Sequence, residues 1–437
     1  MGVEMNVANT IDQNFASATA QVDEDRLRRI CLDLASAHSP TGAELPAAKV
    51  IGDYFEAAGI TPIYQHLSAT SANVYARLPG SGGGPSLLLY APIDTHLEGD
   101  PAQDIPAVGA KFRPDMLPVG HERDGFVVGL GASNPKGMAA TVLEAALALR
   151  AADVTLRGDI IVAFAGGGMP INASQRDNRG LSDGVYHMLT RGVCADFAIV
   201  MKPGSGVYHE EPGLCWFRVS VRGVFGYAGI PRGIMPNSIP PAAKLILELE
   251  EWLPTYTTRN TRGQVVPRGA ITALRAGSVD RLAFTPATTE IYLDIRCAPH
   301  TPPAEVKAQF AEAMDAIRAR NPDIKFDWDM CAAYPGSATA EDNWIIKSAI
   351  RGWEAVEGNT YTMPPNSGQT DISLIRNLGI PTARLGWPST PKNVPPDLTG
   401  GLGGMGVAYV PDLAIACKKI IYAAIDTCSR ARADVNL

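Results

Sequence analysis

Ser86–His96 reads SLLLYAPIDTH: one serine, an unbroken apolar run, then proline and a short polar ending. A strand with one face in water alternates apolar and polar side chains. An unbroken run is what a strand covered on both faces requires. DIIVAFA (Asp159–Ala165) and FAIVM (Phe197–Met201) repeat the pattern, and KGMAATVLEAALALRAA from Lys136 has the length and composition of a helix between them. Buried strands separated by helices predict an α/β domain with a mostly parallel sheet and helices on both faces. GSGGG at Gly80–Gly84 lies between two predicted strands and lacks the Lys-Ser/Thr of a phosphate loop, so it reads as a turn.

The style changes near Gly213. CWFRVSVRGV, ITALRAGSV and TEIYLDIRC alternate as half-buried strands do, and LILELEEWL and AEVKAQFAEAMDAIRA have amphipathic helical spacing. From about Tyr334 the earlier pattern returns. The chain therefore divides into an arm or leading helix over 1–23, a discontinuous α/β domain over 24–212 and 333–437, and an inserted α+β domain over 213–332.

The chain has 437 residues, 46% hydrophobic and 19% charged, ample for a large core. Lys+Arg 38 against Asp+Glu 45 leaves −7, which argues against a nucleic-acid partner held on a basic face. No apolar run reaches the ~18–20 residues of a membrane span. Seven scattered cysteines without a Cys-x-x-Cys read as reduced thiols in a cytoplasmic protein.

Taken in order, SLLLYAPIDTH, GLGASNPKGMAA, IVAFAGGGMP, AIVMKPG, RGVFGYAGIP, TEIYLDIRCAP and NSGQTDISLIRNLGIPTARLGWP resemble the segments of the M20 metallopeptidases and aminoacylases. The resemblance implies a zinc-peptidase-like catalytic domain with an inserted lid that dimerises, a small-molecule substrate and amide C–N hydrolysis. It also implies two zinc ions, held by two histidines and three carboxylates, with a glutamate activating the bridging water. At those places this sequence has Pro92, Asn134, the Gly166–Gly168 triplet, Lys202 and Tyr409, and Tyr227 replaces the lid histidine. Of the signature acids only Asp94 remains. Proline and glycine side chains offer zinc nothing, an amide is a weak ligand, and an ammonium repels the ion. No metal or other cofactor is therefore expected. Lys202 would sit as a fixed cation beside Asp94, and the glycines would empty the pocket floor. Asn134–Pro135 falls where the family often has a cis peptide, which proline makes cheap.

The candidate catalytic groups are Asp94, His96, Lys202, Tyr227 and Tyr409. Candidate substrate contacts are Asn134, Lys136, Gly167, Asn237, Arg296 and Asp371, with Gln369, Thr370 and the glycine-rich Thr399–Gly406 bordering the same cleft. Each has a plainer alternative. Asp94-x-His96 with Glu98 and Asp100 is either an acid–base pair or a polar loop. Ser133-x-x-Lys136 is either an amine-activated hydroxyl or packing. Arg296 either meets a substrate carboxylate or forms an ordinary ion pair. Three functions are open: a metal-independent hydrolase or lyase of a small amide-like or carboxylated compound; a non-catalytic homologue that binds a ligand or an active partner subunit; and a conventional metallopeptidase, which would need its five missing ligands elsewhere in a chain of seven histidines.

Overall fold

The computed structural model describes the chain outside residues 1, 110, 230–235, 366–367, 387–393 and 399–404; of residues 2–9 it describes the backbone alone. The chain forms two compact units. One comprises Met1–His209, Thr339–Pro364 and Thr370–Leu437, and the other Glu210–Ala338 with Pro365–Gln369.

The first unit is built on a seven-stranded sheet. Its strands are β1 (Ile63–His66), β2 (Ala72–Leu78), β3 (Leu87–Pro92), β4 (Ile160–Ala165), β5 (Phe197–Met201), β6 (Val207–Tyr208) and the segment Thr382–Leu385. The order is β1-β2-β4-β3-β5-Thr382–Leu385-β6. β4, β3, β5 and Thr382–Leu385 run parallel, and β1, β2 and β6 add antiparallel edges. Every residue of β3 is buried, as its unbroken apolar run demands. Leu87, Leu89 and Ala91 enter the larger core, and Leu88 and Tyr90 enter a second core on the opposite face.

Helices α1 (Gly2–Thr19), α2 (Glu24–Ser36), α3 (Leu45–Ala57) and α4 (Lys136–Ala151), with Trp344–Glu357 and Val410–Cys428, contribute to the larger core. Asp23 caps α2, accepting from the amides of Asp25 and Arg26. The leading segment is helical, and it packs: Ile11 and Ala18 are buried, and Phe15 meets Tyr422 edge-on at 5.2 Å. Arg26 reaches across from α2 to the buried Glu144 of α4 at 2.7 Å.

The second unit is a four-stranded antiparallel sheet with two helices. Its strands are β7 (Gly213–Arg222), β9 (Gly269–Ala276), β11 (Thr288–Cys297) and β12 (Phe326–Tyr334), ordered β9-β11-β7-β12; β8 (Gly226–Tyr227) pairs with β10 (Phe284–Thr285) separately. Helices α5 (Ile239–Asn260) and α6 (Pro303–Arg320) cover one face, and Phe217, Phe310 and Trp328 interlock beneath them. Among the described residues no helix is long and apolar enough to cross a membrane.

Candidate functional site

The carboxyl ends of β3, β4 and β5 converge, and ligands of open α/β sheets bind at that edge. β3 delivers Pro92 and Asp94, β4 delivers Gly166–Gly168, and β5 delivers Lys202. Asp371, at the start of the short helix Ile372–Asn377, joins them.

Asp94 is fully buried, and both its oxygens are engaged. Oδ2 accepts from the Thr41 hydroxyl at 2.6 Å and the Met169 amide at 3.0 Å, and Oδ1 accepts from the Gly168 amide at 2.8 Å. Burial pushes its carboxyl up, opposed by those donors and by the Lys202 charge. Lys202 is only 4% exposed. Its ammonium lies 3.8 Å from Asp371 Oδ1, so its ion-pair partner is Asp371 and not, as expected, Asp94. Asp371 also receives a short hydrogen bond from the Tyr90 hydroxyl, and burial raises its carboxyl despite Lys202 and Tyr90.

A third buried carboxyl, Glu44, completes the cluster. Gly42 N–H donates to its Oε1 at 2.5 Å. Burial, and then the neighbouring Asp94, push it up to about 7. Three acids and one ammonium thus lie in one dry region, where burial holds each carboxyl above the ordinary carboxylate range.

The glycine triplet does not leave an empty floor. A Cβ at Gly166 would come within 2.5 Å of the Glu44 side chain. One at Gly168 would come within 2.7 Å of Asp371 Oδ2 and of Pro92 Cβ. Gly167 has φ +73°, and a Cβ there would lie 2.2 Å from Asn178 Oδ1. Glu44, Asn178 and Asp371 occupy the space that side chains at 166–168 would need, so Gly167 is packed and not a substrate platform.

Other candidates have separate partners. Lys136 is fully buried, donates to Ala37 O at 2.7 Å, and is lowered to about 7 by burial. It is enclosed and does not face a substrate. Ser133 donates to Met405 O at 2.7 Å, so the Ser-x-x-Lys pair is not assembled. Asn134 precedes the cis Asn134–Pro135 bond; its Nδ2 donates to Met405 Sδ at 2.9 Å, and its buried Oδ1 has no partner among the described residues. Glu98 is held by Arg176, which also donates to Thr41 O at 2.6 Å, and Asp100 caps the following helix. His96 is half-buried. Tyr409 is half-buried with its ring 5.1 Å from Phe126.

Within the second unit, Tyr227 is 51% exposed and packs on Phe284. Asn237 accepts from the Ile239 amide at the start of α5, and Arg296 pairs with Asp294 at 2.8 Å, the plainer of its two readings. Of the Thr399–Gly406 stretch, residues 399–404 lie outside the described residues.

Two zinc ions do not fit this donor set. The five ligand places offer a proline, an amide already donating to sulfur, packed glycines, an ion-paired ammonium and a tyrosine whose ring packs tilted against Phe126. Among the described residues no three His, Cys, Asp or Glu side chains converge as a metal site.

Sequence reasoning missed Glu44, Thr41, Tyr90, Asn178 and Arg176. Tyr90 lies inside the Ser86–His96 motif but reads there as one more apolar residue of a buried strand, and the other four sit in no motif; Glu44 merely precedes α3, and its proximity to Gly166 depends on how α3 lies on the sheet.

Residues 209–322 match the family model described as a peptidase dimerisation domain. The fold is shared with a tripeptidase from Staphylococcus aureus (18% identity, TM-score 0.67, 94% of this chain and 100% of that one). Human carnosine dipeptidase 1 is similar at 15% identity and TM-score 0.68, over 96% and 99% of the two chains. A dinuclear metal-binding peptidase of the M20 family from Bacillus subtilis is similar at 16% identity and TM-score 0.61, over 93% and 98%. The chain has the fold of these M20 peptidases, and the resemblance seen in its motifs holds for the fold and for the inserted domain.

Proposed function

We propose that the protein is an amide C–N hydrolase of small carboxylated compounds that works without a dizinc centre, as a homodimer through its second unit. One observation carries this: a buried ammonium, Lys202, is set among carboxyls at the carboxyl edge of the parallel strands, where α/β enzymes place their chemistry. The similar structures are named as peptidases, which cleave the same bond class. In this reading Lys202 supplies the fixed positive charge that would stabilise a developing oxyanion. Asp371, itself held by the Tyr90 hydroxyl, holds Lys202, and Asp94 holds the Gly168–Met169 backbone; all three are positioning residues. His96 and Tyr409, both half-buried, remain to exchange a proton as water adds across the amide and the amine leaves. A cytoplasmic location accords with seven free cysteines.

A second reading is a non-catalytic ligand binder. It is favoured by the saturation of both Asp94 oxygens and by the filled space at Gly166–Gly168.

The experiment is metal content by mass spectrometry on protein purified without chelator, joined to turnover of an N-acyl amino acid and dipeptide panel. The proposal expects metal below about a tenth of an equivalent, turnover that survives chelation, and loss of turnover in Lys202→Met. Stoichiometric zinc with chelator-sensitive turnover would overturn it. Saturable binding of panel members without turnover would establish the second reading.

A further inference from the structure

The second unit carries a cavity of about 480 Å3 lined by Phe225, Arg275, Ser278, Arg281, Phe284 and Glu290, among others. No residue of the cluster around Lys202 takes part in it. Two features set its chemistry.

The first is aromatic. Phe225 and Phe284 stack with centroids 5.2 Å apart and planes within 1°, yet they are 58% and 41% exposed. The pairing of β8 with β10 holds them, and the Thr285 hydroxyl ties β10 back to Val224 O and Gly226 O at 3.2 and 3.3 Å. A stacked pair left open to water on a braced hairpin presents a flat apolar surface, which another ring extends by offset stacking.

The second is charge. Arg275, near the end of β9, and Arg281, on the turn after it, both line the cavity, and neither has a carboxylate within 4.0 Å among the described residues. Glu290 is the acid on the lining, and it is already engaged, by Arg218 at 3.7 Å and by the Tyr292 hydroxyl at 3.0 Å. Arg275 lies opposite Glu290 in the register of β9 with β11, and Arg281 adds a second guanidinium, so the lining carries two cations against one acid and favours an anion beside the open rings. The guanidinium fork matches a carboxylate.

We propose that this cavity binds a small aromatic carboxylate, its ring continuing the Phe225–Phe284 stack and its carboxylate facing Arg275 and Arg281.

The test uses the full chain and 2-naphthoate as probe, followed by calorimetry. Saturable binding at one site per chain is expected, and it should weaken with added salt. Arg275→Ala/Arg281→Ala should weaken binding by about tenfold or more, the worth of a charge-assisted hydrogen bond. Phe225→Ala should weaken it as well. Both changes are on the surface, so an unchanged melting temperature is the control for folding. Neutral 2-naphthalenemethanol should bind at least as poorly as 2-naphthoate binds the double variant. At a temperature where circular dichroism shows it folded, Lys202→Met should bind the probe as the parent does, which separates this cavity from the proposed catalytic cluster. Equal affinity for the neutral alcohol, or unchanged binding in the double arginine variant, would overturn the proposal. So would loss of binding as protein concentration rises and chains associate, because Val279 and Leu282, 84% exposed on the same turn, would then be covering the cavity with a second copy.

Discussion

At the residue scale, Lys202 decides what the pocket is. Its ammonium is almost wholly out of water and is balanced by Asp371, with Asp94 contributing more weakly. Removing one partner of a buried pair leaves the other charge uncompensated, which costs more than the pair itself contributes. Lys202→Met is therefore expected to destabilise the fold by about 3–5 kcal/mol, read from urea midpoints at constant slope. Adding Asp371→Asn should recover part of that loss. A single variant within about 0.5 kcal/mol of the parent would show that the ammonium is not bearing on the carboxyls. Glu44 adds a pH dependence. Its folded-state pKa, about 7, lies above the ordinary carboxyl value of 4.5. Below that ordinary value both states hold the proton and the contribution is fully present. As pH rises from there to about 7, the unfolded chain releases the proton first and stability falls. Asp94 and Asp371 are raised too, so they act with the same sign. Glu44→Gln should flatten part of the decline, by about 1–3 kcal/mol between pH 5 and 8. An unaltered slope in that variant would remove Glu44 from the account.

At the scale of elements, the turn after β4 carries the greatest constraint. Gly167 has φ +73° and Asn178 fills the space beside it, so Gly167→Ala meets both backbone strain and a clash. Gly379 has φ +85° with nothing within 4 Å of its missing Cβ, which makes Gly379→Ala the control for strain alone. Gly167→Ala should cost about 2 kcal/mol or more, and Gly379→Ala about 1 kcal/mol. Equal melting temperatures for the two would mean the 166–168 space is not occupied as described. This turn also shows the limit of the sequence. β3, β4, β5 and α4 were legible because an unbroken apolar run and a 3.6-residue repeat are local signals. That Glu44, Asn178 and Asp371 fill the space at the glycines was not, because those contacts join residues 44, 178 and 371 to 166–168 through three different elements.

At the scale of the whole molecule, the sequence is one α/β unit interrupted by an antiparallel α+β unit. The inserted unit matches a peptidase dimerisation domain, and β9 is an edge strand of its sheet with Leu274 56% exposed. An unpaired edge with apolar side chains favours association. Light scattering after size exclusion should therefore give twice the 46.3 kDa chain mass. A monomer at micromolar concentration would argue against the dimer.

The sequence by itself determined the fold class, the interruption near Gly213 and the loss of the zinc donors. The first two follow from residue type and local period, and the third from the resemblance of the motifs to those of the M20 family. Pro92, three glycines and Lys202 cannot ligate zinc whatever surrounds them. The tertiary structure alone decided how the residues at those places are partnered. Whether Lys202 pairs with Asp94 or Asp371, whether the glycines open a floor or admit Glu44, and whether Lys136 is reachable all depend on sub-ångström packing between distant segments. Burial in a low-dielectric interior then turns those placements into shifted protonation, which no residue carries in its own chemistry.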